Sequence, residues 1–91
     1  MTKQEATKIK KVIKEQAGNY TVYFNSKKEE LRITVAQYQD DTCEPKTADV
    51  LEQRNICKIL NVLSDNGMRP KYKKESKKYQ GFINCRYIVF E

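Results

Sequence analysis

The chain has no histidine and no tryptophan among its 91 residues, and only three glycines, two prolines and three cysteines. Without histidine, a Ser–His or Cys–His nucleophile pair cannot be built, and a common zinc ligand is missing. Cys43, Cys57 and Cys85 are odd in number and contain no C-x-x-C spacing. Neither a zinc site nor a disulfide framework is expected from them. No glycine-rich loop is present to cradle phosphates. No apolar run approaches the ~20 residues needed to cross a bilayer, and residues 2–17 lack the apolar stretch of a signal peptide. These absences predict a cytoplasmic chain without membrane partner, metal or cofactor, and no enzyme. A ribonuclease built on Tyr, Lys and Arg is the one enzymatic reading the composition leaves open.

What the chain does have is charge around a modest apolar content. Lys and Arg number 18 against 12 acids, for a net charge of +6, and 38% of residues are hydrophobic. That length and content fit a single domain spanning residues 1–91. The charge is unevenly placed. Residues 1–17 hold five lysines against two glutamates, and residues 67–91 hold seven cations against Glu75 and Glu91. The middle is acidic: Asp40, Asp41, Glu44, Asp49 and Glu52 face Lys46 alone across residues 37–53. A basic excess at both ends favours an anionic partner: nucleic acid, an acidic protein surface or anionic lipid.

Hydrophobic periodicity divides the chain into six elements. Thr2 and Glu5 have capping-box spacing, and Ala6, Ile9, Val12, Ile13 and Ala17 share one helical stripe, with Lys8, Lys10, Lys11 and Lys14 on the other side. Gly18-Asn19 ends this helix. Strands are expected at 20–25 and 31–38, joined by a short polar link that favours a hairpin. A second helix is expected over about 48–66, with Leu51, Ile56, Ile59, Leu60, Val62 and Leu63 apolar, ended by Asn66-Gly67. A second hairpin follows from Met68 to Phe90, with strands at 68–73 and 82–90 and a basic tip at 74–81. The αββαββ order predicts an α+β two-layer sandwich, a four-stranded antiparallel sheet with both helices on one face. Pro70, which lacks a backbone donor, predicts an edge position for its strand.

Strict alternation then sorts each strand into two faces. Tyr20, Val22, Phe24, Leu31, Ile33, Val35, Met68, Pro70, Tyr72, Ile83, Cys85, Tyr87 and Val89 form the expected core. The opposite face carries Tyr23, Arg32, Tyr38, Arg69, Lys71, Lys73, Phe82 and Arg86, with Ile88 and Phe90 beside them. The hairpin tip adds Lys74, Lys77 and Lys78. Aromatic rings and guanidinium planes stack on exposed bases, and lysines contact phosphates. These eleven basic and aromatic residues are therefore the candidate surface for DNA or RNA. The alternative is a protein-binding module or inhibitor docking an acidic surface, in the style of a phage, plasmid or transposon accessory protein. A cluster of Phe82, Ile88 and Phe90 also predicts a possible homodimer.

The remaining features have structural readings. The carboxylates at 40, 41, 44 and 49 match no calcium loop and are expected to complement the dipole of the second helix. Cys57 and Cys85 are expected in or near the core.

Overall fold

A computed structural model describes the backbone at residues 1–39, 45–78 and 83–91, and the side chains at 1–38, 47, 49–75 and 85–91. The elements run α1 (Lys3–Gln16), β1 (Val22–Asn25), β2 (Glu30–Gln39), α2 (Pro45–Asp65), β3 (Tyr72–Lys78) and β4 (Ile83–Phe90). The strands form one antiparallel sheet in the order β1-β2-β4-β3. This is the two-layer α+β architecture that the periodicity implies.

Helix ends follow from local chemistry. The Thr2 hydroxyl accepts from the Glu5 amide at 3.1 Å, capping α1. Pro45 opens α2, where its missing N–H costs nothing. Gly67 closes α2 at φ +72, with Met68 N–H bonding Leu63 O at 2.8 Å and Gly67 N–H bonding Ser64 O at 3.0 Å. That left-handed cap is strained for any residue with a Cβ. At the matching ends of the two helices, the amides of Gln16 and Asn66 bond each other in both directions, at 3.0 and 3.2 Å.

The core lies between helices and sheet. Ile13, Leu31, Ile33, Ile59, Leu63, Ile88 and Phe90 are all fully buried there. Several expected members differ: Leu60 and Val62 are only partly buried, and Leu51 on α2 and Tyr72 on β3 are exposed. Helix α2 faces the sheet along Glu52, Ile56, Ile59 and Leu63, all buried, at the spacing of one helical stripe.

Three corrections concern the strands. β3 lies four residues later than expected and includes much of the supposed basic tip. Register explains this: Tyr72 pairs with Phe90, the last residue of β4, so residues 68–70 have no strand beside them. Only one bond continues the pairing, from Glu91 N–H to Lys71 O at 2.9 Å. β3 is an edge strand, but Pro70 precedes it rather than lying in it.

The second correction is the face of β4, which is reversed. Ile88 and Phe90 pair with Ile33 and Leu31 and point at the helices, whereas Cys85, Tyr87 and Val89 point to the other side. The third is a β-bulge between Thr34 and Ala36. One extra residue shifts the alternation beyond it, so Ala36 and Tyr38 face the helices on the same side as Val35. The bulge is held from α2: Asn55 Nδ2 donates to Val35 O at 2.6 Å, and Asn55 Oδ1 accepts from the Tyr20 hydroxyl at 2.9 Å. Burial raises the Tyr20 hydroxyl above the usual tyrosine pKa.

Candidate functional site

The sheet face turned away from the helices is organised in rows set by strand register. Tyr23, Arg32, Val89 and Lys73 form one row across all four strands. Thr34, Tyr87 and Glu75 form the next, and Gln37, Cys85 and the Lys77 position a third. Adjacent strands lie ~4.8 Å apart, so the first row spans roughly 14 Å from Tyr23 to Lys73.

Its centre is Arg32. The guanidinium carbon lies 5.1 Å from the Tyr87 ring centroid and 5.9 Å from that of Tyr23, within reach of a cation–π attraction to both. Tyr87 is 3% exposed, whereas Tyr23 is 57% exposed. Arg32 is thus anchored on a buried ring, and an open ring lies beside it. Lys73 and Glu75 stand exposed on the β3 side.

The expected site residues divide between surfaces. Tyr23, Arg32, Lys73 and the Lys77 position share the open face. Lys71 is exposed, with Nζ 3.9 Å from a Glu91 carboxylate oxygen. Arg69 lines a cleft of about 400 Å³ with Glu5, Lys8, Ile9, Met68 and Pro70, against α1. Lys77 and Lys78 lie on β3 opposite Cys85 and Asn84, but their side chains, and all of Phe82, lie outside the described residues. Tyr38, Lys74 and Arg86 do not belong to the open face: they cluster on the helix side around Glu52.

That cluster is built on a buried carboxylate. Glu52 on α2 is 0% exposed. Arg86 Nη1 donates to Glu52 Oε2 at 2.7 Å and also to Asp49 Oδ1, and Lys74 Nζ lies 3.2 Å from Glu52 Oε1. Arg86 Nη2 reaches the Tyr38 hydroxyl at 3.4 Å, and its carbon lies 5.8 Å from that ring. Hydrogen bonds first to Asp49 and then to Glu52 raise the Arg86 pKa beyond its already high ordinary value. A buried carboxylate needs such partners, so two of the basic residues expected to bind a ligand are committed to the fold.

Other expectations are also corrected. Ile88 and Phe90 are buried in the core, so the apolar cluster that pointed to a dimer is not formed among the described residues. Cys57 is exposed, and Cys85 is buried on the open-face side. Residues 40–44, including Cys43 and three of the clustered acids, lie outside the described residues; Asp49 pairs with Arg86, and the first turn of α2 carries no acid. Among the described residues, no group of three His, Cys, Asp or Glu is placed to hold a metal ion. No described helix is long and apolar enough to cross a membrane.

Sequence reasoning missed Tyr87 as the anchor of the open face. A signal was present: Glu52 interrupts an otherwise apolar helical stripe, and a buried acid there requires a cation from the facing sheet. Placing Arg86 opposite Glu52 turns Tyr87 outward by simple alternation. Comparison with known proteins finds no matching family model, no matching curated protein and no matching solved structure.

Proposed function

We propose that the protein is a non-enzymatic module that binds single-stranded nucleic acid on its open sheet face. The observation carrying this reading is the Tyr23–Arg32–Tyr87 arrangement: an exposed aromatic ring beside a guanidinium anchored on a second ring. Bases stack on such groups whatever their sequence. Lys73 at the opposite end of the same row supplies charge for the phosphates, and the Lys77 position further along β3 shares its face. Single strands fit better than duplexes, because the stacking ring needs an unpaired base.

The test is fluorescence anisotropy with labelled oligo-dT and oligo-U, titrated with salt. Phosphate contacts from Lys73 and Lys77 give a log–log salt slope of about −1.4. Absence of measurable affinity for both oligomers at low salt overturns the reading and leaves an acidic protein surface as the partner for this basic chain.

A further inference from the structure

The opposite edge of the sheet presents a different surface. β1 is an edge strand. Thr34 N–H bonds Thr21 O at 3.0 Å, which makes 21 and 34 a hydrogen-bonded pair. In an antiparallel ladder such pairs alternate with non-bonded ones. Val22 and Phe24, paired in register with Ile33 and Leu31, therefore turn their N–H and C=O groups away from β2. Beside this edge runs the seam with α1, where two clefts of about 330 and 140 Å³ share Lys10 and Val22. Lys3, Thr7, Lys10 and Lys14 follow one helical stripe along them, and among the described residues no carboxylate lines either cleft. The floor is apolar: Ala6, Ile13, Val22, Phe24 and Leu31.

We propose that this seam binds an acidic extended peptide by strand addition to β1, with carboxylates meeting Lys3, Lys10 and Lys14. Alternate side chains of an added strand point to one face, so every second residue projects toward the lysines. The choice of occupant follows from the edge chemistry. Val22 and Phe24 offer acceptors as well as donors, and a peptide backbone supplies both complements. A nucleic acid backbone has no N–H donor to give the outward carbonyls. A second copy of this chain presenting lysine-rich β3 places like charges together. The seam lies on the α1 side of β1 and the stacking ring Tyr23 on its other face, so exchange protection of the outward amides separates peptide addition from nucleic-acid binding.

The test is a backbone-amide NMR titration of the full chain with an end-capped peptide alternating glutamate and threonine. A lysine–threonine peptide and oligo-dT serve as separate titrants. The expected result is movement of the Val22 and Phe24 amides with the acidic peptide and not with the cationic one, together with slower hydrogen exchange at both, whereas oligo-dT stacking on the intervening Tyr23 shifts these amides without slowing their exchange. Lys10→Glu with Lys14→Glu, both exposed in the native protein, weakens the peptide about tenfold at low salt. Lys73→Glu leaves its affinity unchanged. The proposal is overturned by unmoved Val22 and Phe24 amides, by equal response to the cationic peptide, or by oligo-dT slowing exchange at these amides in place of the peptide. The wild-type amide readout decides the matter even if the double variant does not fold.

Discussion

Arg86 on β4 and Glu52 on α2 meet at 2.7 Å across the helix–sheet interface, with Glu52 fully buried. Arg86 shares the helix-facing parity of β4 with the fully buried Ile88 and Phe90. That parity leaves Tyr87 on the open face.

Arg86→Ala strands a buried carboxylate with Lys74, itself half-exposed, as the one close cation among the described residues. The expected cost is about 3–5 kcal/mol, read by urea denaturation. Replacing both partners, Glu52→Leu with Arg86→Met, should recover most of that loss, because a well-packed apolar pair avoids the desolvation cost. Equal destabilisation in the single and double variants would falsify the account of the pair.

Leu63 and Leu60 are neighbours on α2 with different surroundings. Leu63 is fully buried and Leu60 only partly. Leu63→Ala should cost about 2–5 kcal/mol and Leu60→Ala distinctly less. Thermal unfolding of the two variants side by side checks the order; the reverse order contradicts the orientation of α2.

The Tyr20 hydroxyl is raised by burial and donates to Asn55. An unfolded tyrosine ionises near pH ~10, so above that value the unfolded chain holds fewer protons than the folded one at this site. Stability from this group is complete below pH ~10 and falls as pH rises toward the folded value. Tyr20→Phe should be less stable at neutral pH, by about 1 kcal/mol for the lost bond. It should also lose less stability than wild type between pH ~9 and ~11. Parallel pH profiles for the two proteins contradict this.

On the open face, stacking and charge separate by mutation. Tyr23→Ala should weaken oligonucleotide binding by about 1–3 kcal/mol with little change in salt slope. Lys73→Glu should reduce the slope by about 0.7. Tyr38→Ala should leave the slope and the stacking contribution unchanged, because that ring faces α2 through Arg86. Anisotropy across a salt series distinguishes all three.

Much of this architecture is legible from residue spacing. The Thr2–Glu5 cap, the α1 stripe, the Asn66-Gly67 stop and the β1–β2 hairpin are local or periodic features, read from residues close in the chain. The face of β4 is not, because Tyr87, Ile88, Val89 and Phe90 are apolar at both parities. Arg86 looks like a surface residue until its two acids, 34 and 37 positions away, are placed over it. Tyr38 is misread for a different reason: alternation carried forward from Arg32 crosses the bulge at Val35, which no local pattern announces.

The sequence by itself determined the α+β class, the element order, the caps and most of the core, since these follow from short-range geometry and hydrophobic period. Only the tertiary structure decided the start of β3, the outward turn of Tyr87 and the withdrawal of Tyr38, Lys74 and Arg86 from the open face. Strand register, a one-residue bulge and a buried carboxylate seeking its cations are all settled between elements. Their free energy depends on which groups are brought together and removed from water.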